Sequence, residues 1–323
     1  SSAASDVYKR QAQGEETILT LTNTDDLENF RVGDSVGVGG ATTAFAPVLY
    51  KGNSGTQDIN CGFAPDLVWI KTRNEIKNHT LFDSVRGPLK FLQSNDTAVE
   101  NDSYDNNLTS FNPDGFSLGA EPDVNFAGRD FVAWCWKAGD TTVTNNDGTI
   151  ESQVRAGNGF SIVSYTGDGS SGASATAGHG LGITPSIVLV KRVDTAYDWL
   201  WYQEGKRGYL NDSGALTNST TVYTDTTFSL DSSPGASADG GQYIAYCFAE
   251  TDGSSFGSYT GNGSNQTIDC GFEPAFVMIK CTSSGSTSWV MYDTTRNPSN
   301  PANLGLEADL ADAERTYSQA IIN

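Results

Sequence analysis

A chain of 323 residues exceeds what one core of about 100 to 200 residues usually organises, so more than one domain is expected. With 35 Gly, and only 19 Lys plus Arg against 39 Asp plus Glu, the composition favours short strands joined by turns over long exposed helices. The formal charge of -20 and the lack of a basic block argue against nucleic acid as a partner, and the longest apolar run, Tyr243–Ala249, is far below the roughly 20 residues a membrane-crossing helix needs.

In chain order, Ser1–Gln11 lacks the charged-then-apolar layout of a signal peptide. The string SSAASDVYKRQ resembles the translated remnant of a sequencing adapter, so residues 1–11 are expected to be an artefactual or disordered leader from an environmental assembly. Thr17–Val36 alternates polar and apolar residues, and residues 12–44 are expected to be a β linker or stalk. Three stretches then repeat one set of blocks. They divide the chain into a first repeat over residues 45–140, a linker over 141–156 carrying the hairpin signal Asp147-Gly148, a second repeat over 157–250 and an incomplete third over 251–323.

The first block is Tyr50-Lys-Gly-Asn, Tyr165-Thr-Gly-Asp and Tyr259-Thr-Gly-Asn, an aromatic strand end running into a turn. Next come Gly62-Phe-Ala-Pro65, Gly182-Ile-Thr-Pro185 and Gly271-Phe-Glu-Pro274, each leading into four apolar residues and a lysine: Lys71, Lys191 and Lys280. Proline suits the approach to a strand because it cannot donate within the ladder, and four consecutive apolar residues predict a strand covered on both faces. The closing block occurs twice, as Phe131-Val-Ala-Trp-Cys-Trp136 and Tyr243-Ile-Ala-Tyr-Cys-Phe248. Its faces alternate, Phe131, Ala133 and Cys135 against Val132, Trp134 and Trp136, so two different layers must pack on it. The expected fold is all-β, a tandem array of antiparallel β-sandwich modules of jelly-roll or lectin-like type.

Chemistry-bearing residues give little support for catalysis. Cys61 and Cys270 align with Leu181, and Cys135 aligns with Cys247, which predicts buried free thiols; Cys281 is the candidate for exposure. His79 and His179 fall at non-equivalent places with no metal-ligand spacing, so no metal site is expected. Asp83 and Asp293 are each followed three residues on by Arg86 and Arg296, with Gln203 and Lys206 between them, a pattern read as a surface ion pair of small energetic weight rather than an active-site acid. Asp102–Asn107 offers oxygen ligands for calcium without a fixed calcium-loop pattern and reads as a turn. No catalytic residue and no cofactor is assigned.

Taken together, Gly159-Phe-Ser-Ile-Val-Ser-Tyr165-Thr-Gly, Tyr243–Glu250, Phe256–Gly263 and Gly271–Lys280 resemble, from Phe45 onward, a repeat family in virion proteins of marine tailed phages. That resemblance implies a non-enzymatic structural or attachment protein of a bacteriophage particle, of tail-fibre, neck or head-appendage type, assembled in the host cytoplasm and then extracellular. Its implied partners are other virion proteins, further copies of itself and a host-surface glycan. One rival is a carbohydrate-binding adhesin in which Trp199, Trp201 and Trp289 stack on sugars; the other is an envelope polysaccharide depolymerase.

Overall fold

The computed structural model describes residues 7–12, 15–20, 45–203 and 205–321. The chain forms two compact units, residues 1–40 and 41–323. In the first, Val7–Ala12 pairs antiparallel with Glu15–Thr20, so Val7–Gln11 of the expected leader lies in a hairpin strand. Positions 21–44 of the expected stalk are outside the described residues.

The second unit is all-β, and its antiparallel sandwiches follow the repeated blocks. In the first module a four-stranded sheet runs in the order Phe45–Lys51, Asp130–Trp136, Leu67–Thr72, Thr80–Asp83. A three-stranded layer of Gln57–Asn60, Gly115–Leu118 and Leu108–Asn112 covers one face. The second module keeps the order with Phe160–Thr166, Gln242–Phe248, Ile187–Arg192 and Leu200–Gln203, covered by Gly172–Gly178 paired with Thr227–Leu230. Residues of the expected linker are built into this sheet: Val143–Asn145 and Ser152–Ala156 form a hairpin whose second strand pairs with Phe160–Thr166. The third module consists of Phe276–Ile279, Val290–Asp293, Ala302–Glu307 and Arg315–Ile321.

The turn before each core strand has the backbone that its glycine permits, with φ of 87° at Gly62, 71° at Gly182 and 77° at Gly271. The register is conserved as well. Leu67 faces Asp83, Ile187 faces Gln203 and Phe276 faces Asp293, so residues of the three modules can be equated one by one.

The double-faced apolar strands now have their explanation. Val68, Ile70, Phe131, Ala133 and Cys135 point into the first sandwich, and Val188, Val190, Tyr243, Ala245 and Cys247 into the second. The opposite faces, with Leu67, Trp69, Trp134, Leu189, Tyr246 and Met291, meet in one core shared by all three modules. One layer on each closing strand is therefore its own second sheet, and the other is the neighbouring modules.

Candidate functional site: the junctions between modules

The equated positions repeat one set of bonds around a closed circuit. His79, Trp199 and Trp289 each precede the strand that pairs with the core strand, and each is locked in the same way. Their backbone amides donate to Asn95 Oδ1 at 2.9 Å, Asn211 Oδ1 at 2.7 Å and Asp309 Oδ1 at 2.8 Å. Their rings then reach the preceding module. Trp199 Nε1 donates to the Gln93 carbonyl at 2.7 Å, Trp289 Nε1 to the Tyr209 carbonyl at 3.0 Å, and His79 Nε2 lies 3.0 Å from the Glu307 carbonyl. Thus the second module holds the first, the third holds the second, and the first holds the third.

Backbone bonds run around the same circuit in the opposite sense. The Glu100 amide donates to the Val193 carbonyl at 2.9 Å, Leu216 to Thr282 at 3.1 Å and Glu314 to Arg73 at 2.7 Å. Side chains reinforce the closure between first and third modules, where Arg73 Nε and its terminal nitrogen bind both Glu314 oxygens at 3.0 and 2.8 Å. Three equal links closing on themselves define an approximate threefold arrangement, whereas a string of modules would join first to second and second to third only.

The recurring acids belong to this circuit. Asp83 accepts from Arg86 Nε at 2.5 Å and from the Tyr246 hydroxyl at 2.8 Å; Asp293 accepts from Arg296 Nε at 2.6 Å and from Trp134 Nε1 at 3.0 Å. These pairs are not on the surface, as the sequence had suggested. Both carboxylates have fully buried side chains, because the closing strand of a neighbouring module lies over each of them. Burial works against the Arg86 charge, but Asp83, Tyr246 and Glu100 around it hold the guanidinium protonated. Arg296 and Asp293 form a comparable cluster with Glu314.

The lysine that ends each core strand is buried at Lys71 and Lys191. Lys71 Nζ donates to the Thr72 and Glu75 carbonyls, and Lys191 Nζ to the Arg192 carbonyl and to the Thr97 carbonyl of the first module. Lys280 Nζ likewise reaches the Ser213 carbonyl of the second module at 2.7 Å. Desolvation moves both Lys71 and Lys191 down to about 8, only partly opposed by nearby carboxylates. His79 is also pushed below its usual range by burial and by Lys71.

The three tryptophans put forward as glycan contacts are not available for stacking. Trp199, Trp201 and Trp289 are 0%, 7% and 2% exposed, and the rings of Trp201 and Trp289 lie 4.2 Å apart in the shared core. Their recurrence at matching places in the sequence favours core packing over binding, and the core is where they lie. Cys135 and Cys247 are buried and Cys281 is exposed, as expected, whereas Cys61 and Cys270, expected to be buried, are only half-buried. The alignment did not foresee that Cys61 meets Cys135 across the first sandwich; that hydrogen bond lowers the Cys61 thiol, while burial raises Cys135.

A groove of about 280 Å³ opens between the first two modules, lined by Arg86, Lys90, Glu100 and Tyr243 among others. Glu100 pairs with both Arg86 and Lys90, so the two cations are already neutralised there. Among the described residues, no helix is long and apolar enough to cross a membrane, and no group of three or more His, Cys, Asp or Glu is placed to hold a metal ion.

Fold and junctions define an all-β protein of repeated sandwich modules closed around a common core, with its recurrent polar residues engaged in binding module to module. More particularly, the chain belongs to the family described as Domain of unknown function (DUF7483), whose model matches residues 41–323. No curated protein and no solved structure matches it.

Proposed function

We propose that this chain is a non-enzymatic structural or attachment protein of a bacteriophage particle, working in the tail fibre, neck or head appendage alongside other virion proteins and further copies of itself. The observation that carries the non-enzymatic part is the fate of the recurring reactive groups. Asp83, Asp293, His79 and Lys71 are buried, and their polar atoms are spent on bonds within or between modules. Active sites concentrate perturbed groups in a cleft open to substrate, whereas these groups lie behind packed aromatic rings. The phage assignment rests on the sequence resemblance, and a formal charge of -20 suits a surface protein that must stay dispersed in a crowded assembly.

Mass spectrometry of density-purified tailed-phage particles tests the assignment. Peptides of this chain or of close family members should co-purify with major capsid protein at constant stoichiometry. Their confinement to soluble cellular fractions would refute it.

A further inference from the structure

The first sandwich brings together two thiols from its two layers. Cys61 follows the covering strand Gln57–Asn60, and its amide continues that ladder by donating to the Asp114 carbonyl at 2.9 Å. Ile59 points into the sandwich, so the period of two along a strand sends Cys61 the same way, onto the core that holds Cys135. Cys135 comes from the opposite layer. It lies in the closing strand between Ala46 and Val68, with its side chain fully buried in that core.

The second module lacks the pair. Leu181 packs there in the place of Cys61, and among the described residues Cys247 is the one cysteine of that sandwich core. The contact between thiols therefore belongs to the first module and is not required by the repeated fold.

The two thiols differ in a way that orders their chemistry. Cys61 is half-buried and within reach of solvent. The Cys135 thiol donates to its sulfur and favours the Cys61 thiolate, against the opposing pull of burial and of the Asp114 carboxylate. Burial keeps Cys135 protonated and closed to reagents, so the route by which it can be oxidised runs through Cys61.

We propose that Cys61 and Cys135 form a modification site, a disulfide joining the two layers of the first sandwich that arises by exchange with a small organic disulfide. The Cys61 thiolate attacks one sulfur of the reagent RS–SR; a bond forms between Cys61 and that sulfur, the reagent's own S–S bond breaks, and RS⁻ leaves. Cys135 then attacks the Cys61 sulfur, the mixed disulfide breaks, and the second RS⁻ leaves with the Cys135 proton. Two protein thiols are oxidised, and one reagent disulfide is reduced to two RSH. The new bond closes a long loop of the unfolded chain and so should raise stability. A reducing cytoplasm would keep the pair as thiols and an oxidising extracellular medium would close it. That timing rests on the phage-particle reading, whereas the bond depends on this chain alone.

The test uses the full folded chain carrying Cys281→Ser, which removes the exposed thiol. It is held without denaturant in oxidised or in reduced glutathione and then alkylated with iodoacetamide. Trypsin releases Cys61 within residues 52–71 and Cys135 within residues 130–137. Mass spectrometry of the oxidised chain should find these two peptides joined, separating on reduction, and its urea midpoint should lie above that of the reduced chain. Cys61→Leu, which installs the residue of the second module, should leave Cys135 a free thiol and give one midpoint in both media. Cys135→Ala should instead stop Cys61 at the glutathione mixed disulfide. In the chain that keeps both cysteines, a Cys61 that stays alkylatable or stops at the mixed disulfide overturns the inference. So does a link formed only when oxidation is done in urea, a disulfide confined to other cysteines, or a joined chain whose midpoint is no higher than that of the reduced one.

Discussion

Replacing Asp293 with alanine should be among the most damaging single changes in the protein. Its carboxylate is fully buried and accepts from the Arg296 side chain at 2.6 Å, the Arg296 amide at 2.8 Å and Trp134 Nε1 at 3.0 Å. Removing one partner of a buried ion pair typically costs about 3–5 kcal/mol, because the remaining charge stays desolvated and unpaired. Arg296 keeps Glu314 at 3.1 Å, which places the expected loss toward the lower end, near 3 kcal/mol. Urea unfolding followed by tryptophan fluorescence reads this as a lower midpoint at unchanged slope. Asp140→Ala is the control, since that carboxylate is 89% exposed in its pair with Lys137 and its loss should leave the midpoint where it was. A loss below about 1 kcal/mol for Asp293→Ala would refute the claim that the buried acid joins the first and third modules.

Other consequences follow from the same geometry. Trp201→Ala should cost about 3–5 kcal/mol in the same unfolding assay, as expected for emptying an aromatic site in a packed core; a fully stable variant would show the ring to be dispensable. Lys71 and Lys191 bind protons more weakly in the folded state, at about 8, than in the unfolded chain, so the unfolded state holds more protons between about pH 8 and 10.4 and stability should rise with pH across that window. Lys71→Met should flatten this slope, and an unchanged slope would count against it. His79, pushed down by burial, gives the same sign at lower pH: stability should fall as pH drops below about 6.5, where the unfolded chain takes up the proton first. With a thiol reagent at pH 8, Cys281 should react fastest, while Cys135 and Cys247, the latter raised to about 12 by burial, should react only on unfolding.

Much of the fold was legible in the sequence because its signals are local. Proline ahead of Leu67–Ile70, alternation in Phe131–Trp136 and the recurrence of both blocks depend only on neighbours in the chain, and strands form there. What covers the second face of those strands was not legible, since it depends on module packing. For the same reason Asp83 and Asp293 read as surface acids: Arg86 and Arg296 stand three residues away, but Tyr246 and Trp134 come from 163 and 159 residues away. Lys71 and Lys191 gave no warning either, because a lysine closing a strand ordinarily extends its head into water. The strand expected to end at Tyr259 shows the converse, a local signal overruled because its ladder partner is absent among the described residues.

The central claim is that the modules close on one another, and the bond between Trp134 and Asp293 is where it can be measured most directly. A double-mutant cycle with Trp134→Phe and Asp293→Asn isolates a contact spanning 159 residues between the first and third modules. Closure predicts a coupling energy of about 1 kcal/mol or more, as for a buried hydrogen bond to a charged group. Effects that add to within about 0.3–0.5 kcal/mol would mean that the two side chains do not meet, and the circuit would be open.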